Sequence, residues 1–204
     1  MIALVDYGLG NIQAFANIYK RLGIKVLVAK TPSDVRRASK IILPGVGAFD
    51  WAMTRLQDSG LRETLDEEVL VKKKPILGVC VGMQMLAHSS EEGILPGLGW
   101  INATVVKFDS QYLNGQTHLP HMGWNDVEPC NCDLLFRGLD TPRYYFLHSF
   151  FMKPHQKEIT IATAQYGISF TAAVRSGNVY GTQFHPEKSH EWGIGLLKNF
   201  AELA

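Results

Sequence analysis

Pro75-Ile-Leu-Gly-Val-Cys80-Val-Gly-Met-Gln-Met-Leu-Ala87 reads as a short buried strand, an abrupt turn flanked by glycines, and the start of a helix. Ile76 and Leu77 supply the apolar run of the strand, and Met83, Met85 and Leu86 begin a helical one. Cys80 is the only residue on the bend able to do covalent chemistry. A side chain there is held beyond the strand end, with a helix N-terminus just behind it. Gly78 and Gly82 matter because a sharp strand-to-helix turn leaves little room for Cβ atoms on either side. The pattern is a nucleophile elbow with Cys in place of Ser.

Upstream of this bend, strands and helices alternate. Ile2–Val5 is a β-branched strand ending at Asp6-Tyr-Gly-Leu-Gly-Asn11, and Ile12, Phe15, Ile18, Tyr19 and Leu22 follow at helical spacing with Gly23 as the stop. Lys25–Ala29 is a second strand. Thr31-Pro-Ser-Asp34 starts a helix with Pro in its first turn. Lys40–Leu43 is a third strand, closed by Pro44-Gly-Val-Gly47, and helices over Ala48–Gln57 and Leu61–Lys73 lead to the bend. The alternation predicts an α/β fold, a doubly wound, mostly parallel sheet with helices on both faces.

After Ser89 short β-rich runs dominate: Ala103–Phe108, Tyr144–Phe151, Ile159–Gln165, Phe170–Val174 and Val179–Phe184, with a hairpin turning on Ser176-Gly177-Asn178. They predict an antiparallel β-rich extension. The last helix, Glu191–Leu203, turns Ile194, Leu197 and Phe200 inward. No repeat or linker interrupts the chain, so a single domain over residues 1–204 is expected.

Bulk properties narrow the function. Among 204 residues, 46% are hydrophobic and 19% charged, with a formal net charge of +1. No basic excess exists to neutralise phosphates, so nucleic acid is not an expected partner. Lys72-Lys73-Lys74 reads as a solvated helix end. Apolar runs are far too short for a bilayer, and the start lacks the charged region of a signal peptide, so no membrane association is expected. Cys80, Cys130 and Cys132 are too few for a disulfide framework, which fits a cytoplasmic, reducing setting.

A free thiol titrates near pKa ~8.5, so an elbow cysteine needs help to become the anion. Of seven histidines, His185 in Thr182-Gln-Phe-His-Pro-Glu-Lys-Ser189 is the best placed to help. It ends an apolar run and so emerges at a strand end, Pro186 fixes the backbone after it, and Glu187 can fold back onto the imidazole. Cys80, His185 and Glu187 are therefore the candidate catalytic residues. Val81 supplies one oxyanion N–H, and Val46 and Gly47 of the Pro44–Gly47 loop can supply a second. On spacing alone that loop is equally a plain turn.

Other motifs carry less. Gly8-Leu9-Gly10 fails as a dinucleotide fingerprint because Gln13 stands at the third glycine position. His118-Leu-Pro-His121 lacks a third ligand, so no metal is expected. Cys130-Asn-Cys132 reads as a surface feature, and His148 as either a core or a pocket histidine.

Gly78-Val-Cys-Val-Gly82 with Gln84, the Pro44–Gly47 loop and Phe184-His-Pro-Glu-Lys-Ser189 together resemble a class I glutamine amidotransferase, with its flavodoxin-like core. Asp6–Asn11, Leu119-Pro-His-Met-Gly-Trp-Asn125 and Tyr144–Phe151 narrow the likeness to glutaminase subunits of imidazole glycerol phosphate synthase. The resemblance runs end to end. It implies hydrolysis of L-glutamine to glutamate and ammonia without a cofactor, Cys80 attacking the carboxamide and His185 moving the protons. Gly47, Gln84, His148, Ser149 and Phe150 would hold the substrate. It further implies a heterodimer with a (β/α)8 cyclase subunit that receives the ammonia to make imidazole glycerol phosphate and AICAR. Asn11, His121, Met122, Trp124, Tyr145 and Lys188 match positions facing that partner or the ammonia gateway. The family's subunit is nearly inactive alone, which this chain is expected to share; if the Pro44–Gly47 peptide points its carbonyl inward at rest, docking of the partner would bias a flip.

Val81 stands where leucine is common and Phe150 and Phe151 where tyrosines are frequent, and the stretch Gln13–Asn17 also departs from the usual pattern. Relatives that feed ammonia to a sugar-amidating synthetase of surface polysaccharide biosynthesis offer an alternative partner. Cysteine peptidases and chaperone-like proteins of the same superfamily offer another class, but these commonly place histidine directly after the nucleophile, where this chain has Val81.

Overall fold

Strands form where aliphatic and β-branched residues cluster without a helical period. In the computed structural model, which describes residues 1–109, 111, 118–130 and 133–203, the first is β1 (Ile2–Val5). It is followed by α1 (Ile12–Arg21), β2 (Val26–Ala29), α2 (Pro32–Arg37), β3 (Lys40–Gly45), α3 (Phe49–Asp58), α4 (Arg62–Asp66), β4 (Ile76–Cys80) and α5 (Val81–Gln84). The second half comprises β5 (Ser89–Ser90), β6 (Ala103–Lys107), β7 (His121–Pro129), β8 (Arg143–His148), β9 (Phe150–Pro154), β10 (Thr160–Tyr166), β11 (Ile168–Ser176), β12 (Val179–Thr182) and α6 (His190–Glu202).

One sheet carries nine strands in the order β2-β1-β3-β4-β12-β11-β10-β7-β8. The pairs from β2 to β12 are parallel, and those from β12 to β8 are antiparallel. The doubly wound core with an antiparallel extension is thus as expected. The handedness rule explains the two helical layers. The chain crosses from β1 to β2 in one direction and from β2 to β3 in the other, so right-handed connections place α1 and α2 on opposite faces. α4 packs with α2, and α6 with α1. The Tyr19 hydroxyl ties the last pair by donating to the Leu197 carbonyl at 3.1 Å. Covered on both faces, β1 and β4 are buried along their whole length and need no polar alternation.

Local signals set several boundaries. Thr31 and Asp34 form a reciprocal capping box at the start of α2. The β11–β12 hairpin turns on Gly177, at φ +59°, and Asn178, whose amide donates to the Val69 and Lys74 carbonyls.

Four expectations need correction. The helix after Cys80 lasts only four residues, and Met83, Met85 and Leu86, read as its apolar stripe, are all buried while the last two lie beyond its end. The Tyr144–Phe151 run is two strands broken at Ser149: β8 pairs with β7 in the large sheet, while β9 pairs with β6 in a separate three-stranded one. The segment His121–Pro129, not read as a strand, pairs on both sides. The lysine run is not simply solvated. Beyond α4 the helix widens into a π turn at Glu67–Val71, and the fully buried Glu68 carboxylate is paired with Lys72 and Lys74. Cys130 lies half-buried at the end of β7; Asn131 and Cys132 fall outside the described residues.

Candidate active site

Cys80 sits at the carboxyl end of β4 with φ +55° and ψ −114°, a backbone conformation that a side chain rarely adopts. Such a residue costs on the order of 1–3 kcal/mol and persists only when its surroundings enforce it. Here the enforcement is close packing. A Cβ on Gly82 would run into the Leu43 carbonyl of β3, and one on Gly78 would lie 2.6 Å from the Gly82 oxygen. The thiol is buried, 3.8 Å from both the Leu147 carbonyl oxygen and the Gln183 side-chain nitrogen.

β12 runs parallel to β4, with Thr182 opposite Val79. The chain leaves both strands at the same end, which delivers His185 beside Cys80. His185 Nδ1 lies 2.8 Å from Glu187 Oε1, with both side chains 3% exposed. Burial alone would lower the imidazole pKa, but Cys80 and Glu187 more than offset it and raise the value to about 10. The backbone of His185 is also held: its N–H donates to the Tyr145 carbonyl at 2.9 Å. Ser189 completes the clasp, its hydroxyl donating to the His185 carbonyl and accepting from the Tyr145 N–H.

These groups open onto a cavity of about 280 Å³. Cys80 and His185 line it together with Val46 and Gly47, with Val81 and Gln84, and with the segment Leu147–Phe150. Every expected catalytic, oxyanion and substrate residue except Glu187, which stands behind His185, therefore reaches one space. His148 resolves as a pocket histidine that is also buried. Gln84 donates to the Phe150 carbonyl and to Gln183 Oε1, both at 3.0 Å.

The positions matched to a partner divide. Met122 and Trp124 are exposed, at 65% and 42%, and Lys188 lies at the cavity rim with its ammonium 5.7 Å over the Tyr145 ring. Asn11 is exposed and caps α1 by accepting from the Ala14 N–H. His121 is the correction. At 3% exposure, with its ring stacked against Phe146 and Tyr166, it is not a surface contact.

Two residues of this site carried no readable signal. Glu92 lines the cavity while one of its oxygens accepts from the Phe49 N–H at 2.9 Å, so a carboxylate faces the space where a cationic group can sit. Nothing in Ser89-Ser-Glu-Glu92 marks it, since acidic pairs in loops are common. The buried Tyr7 hydroxyl donates to the Pro44 carbonyl at 2.8 Å, steadying the base of the Pro44–Gly47 loop. Among the described residues, no three His, Cys, Asp or Glu side chains are grouped to hold a metal ion.

The profile of the glutamine amidotransferase class-I family matches residues 3–203. The chain belongs to the class I glutamine amidotransferases. This amidotransferase is 58% identical over 205 residues to the imidazole glycerol phosphate synthase subunit HisH of Bdellovibrio bacteriovorus, and each chain is covered completely. The same-named subunit of Leptospira interrogans is 49% identical, again over the whole of both chains. A solved structure described as glutamine amidotransferase superposes with a TM-score of 0.75 at 19% identity over 99% of each chain, a likeness of fold. No helix among the described residues is long and apolar enough to cross a membrane.

Proposed function

We propose that this amidotransferase is the glutaminase subunit of an imidazole glycerol phosphate synthase, working in histidine biosynthesis. The observation that carries the chemistry is the shared cavity of Cys80 and His185, with Glu187 on the far nitrogen of the imidazole. The full-length identity to HisH subunits carries the pathway.

The geometry supports the following sequence. With its proton passed to His185, the Cys80 sulfur adds to the carboxamide carbon of glutamine. The carbonyl π electrons move to oxygen, and the Val81 N–H at the start of α5 faces that oxyanion together with an N–H from Val46–Gly47. Collapse breaks the C–N bond, and the departing nitrogen takes the proton from His185 to leave as ammonia. Water, losing a proton to the same imidazole, then adds to the thioester, and the C–S bond breaks to release glutamate and the thiol. Glu187 holds His185 in the tautomer this needs and favours its imidazolium. Glu92 suits the α-ammonium of the substrate, and the Ser149–Phe150 main chain and Gln84 frame its other end. The chain needs no cofactor for any step.

A cytoplasmic heterodimer with a (β/α)8 cyclase is the setting. Met122, Trp124 and Leu147 form an exposed apolar patch near the cavity, beside Lys188. Docking there closes the site from solvent and gives ammonia a route into the partner. Glutamine hydrolysis measured for wild type and Cys80→Ala, each with and without the cyclase, tests the reading. Wild type should release ammonia rapidly only with the cyclase present, and Cys80→Ala should release none above background. Activity retained by Cys80→Ala would reject the mechanism, and indifference to the imidazole-forming cyclase would reject the pathway.

A further inference from the structure

Two buried histidines sit outside the chemistry above, and their hydrogen bonds have a direction that can be deduced. His148 Nδ1 is 2.8 Å from the Phe150 carbonyl oxygen. A carbonyl only accepts, so Nδ1 carries the proton. His148 Nε2 lies 2.9 Å from His121 Nδ1, and His121 Nε2 lies 3.3 Å from the Asn125 amide nitrogen. That amide also donates to the Gln165 carbonyl at 2.7 Å, while its own oxygen accepts from the Asp126 N–H, which fixes its orientation.

Only one proton arrangement satisfies every link. Asn125 donates to His121 Nε2, His121 Nδ1 donates to His148 Nε2, and His148 Nδ1 donates to Phe150. A proton added to His148 Nε2 would force His121 Nδ1 to accept and turn His121 Nε2–H against the Asn125 donor. Both rings are therefore neutral. Burial agrees, pushing His121 down to about 4 and, with His121 and His185 nearby, His148 down to about 3.

The far end of this chain is the glutamine pocket. The Phe150 carbonyl accepts once from His148 and once from Gln84, which fills both lone pairs. The near end is β7, whose side chains alternate: His121 and Asn125 turn inward, while Met122 and Trp124 between them are exposed. We propose that His121, acting through His148, is a positioning residue for substrate binding, holding the Ser149–Phe150 main chain in place and tying the pocket to the strand that bears Met122 and Trp124. The proposal rests on the glutaminase reading for its substrate, but its geometry stands apart from it.

Two measurements test it together. Side-chain ¹⁵N spectra of histidine-labelled wild type at neutral pH should show His121 and His148 each protonated on Nδ1 and bare on Nε2. Glutamine kinetics in the complex with the cyclase should then separate two variants. His121→Phe keeps a ring between Phe146 and Tyr166 but removes the donor, and should raise KM about tenfold with kcat within about twofold, the loss of one hydrogen bond. His121→Asn, with an amide near the place of Nδ1, should recover most of that loss. A His148 proton on Nε2, or an unchanged KM in His121→Phe, overturns the proposal. Wild type without glutaminase activity would instead overturn the function, and the ¹⁵N result would still decide the proton arrangement.

Discussion

The Tyr7 hydroxyl reaches from the end of β1 to the Pro44 carbonyl at the end of β3, 2.8 Å away. Burial, with Cys80 nearby, raises its pKa, so the donor is never lost in the working range. Tyr7 thus fixes the peptide from which Val46 and Gly47 project. Tyr7→Phe should cost about 1 kcal/mol of stability, the value of one buried hydrogen bond. It should also lower kcat in the cyclase complex more than it raises KM, if the loop acts on the oxyanion as proposed. Thermal unfolding and steady-state kinetics check this; a change in KM alone would place the loop's role in binding instead.

His185 provides a pH prediction. Its folded pKa, about 10, exceeds the free-imidazole value near 6.5. A raised pKa contributes stability that is fully present below pH ~6.5 and is lost as pH rises through about 10. Glu187→Gln removes one of the two groups that raise it. The NMR titration midpoint of the His185 ring should fall in that variant, and kcat should drop at least about tenfold. A midpoint that stays near 10 would show that Glu187 is not part of the cause.

Glu68 gives the opposite sign. Burial would raise its pKa, but Lys72 and Lys74 hold it below the ordinary carboxylate value. The pairing contributes stability above the unfolded pKa near 4.3 and loses it as pH falls through the depressed folded value. Glu68→Gln should destabilise by on the order of 1–3 kcal/mol, since Lys74 loses a partner it meets largely out of solvent. Denaturant titration at pH 7 measures that difference, and it should shrink at pH 3.

How legible the chain was depends on whether a residue's neighbours in sequence are its neighbours in space. Gly78, Cys80 and Gly82 form a local device, and so do His185 and Glu187, so both could be read along the sequence. The strand β7 could not. Gly123 interrupts it, and most of its side chains face solvent, which leaves no apolar alternation to detect. The break at Ser149 has no glycine or proline to announce it. It exists because the chain passes there from one sheet to another. Glu92 and Tyr7 act through contacts 43 and 37 residues away in sequence, where no local pattern reaches.

Trp124 should matter to association and little to folding, being half in solvent, stacked on His190 and edge-on to Tyr145. Trp124→Ala should weaken binding of the cyclase at least about tenfold, as expected for an aromatic anchor, with the unfolding midpoint of the free chain nearly unchanged. Calorimetric titration reads the first quantity. Equal affinity for both proteins would move the docking face elsewhere.

The break at Ser149 has one more consequence. Because the same few residues end a strand of the nine-stranded sheet, begin a strand of the three-stranded one and line the cavity shared by Cys80 and His185, the proposed glutamine site lies on a joint. The two sheets cannot part there without dismantling the pocket. A glutamine bound at the proposed site would act as a pin through that joint, and protease sites in the second half of the chain should become harder to reach as the pocket fills.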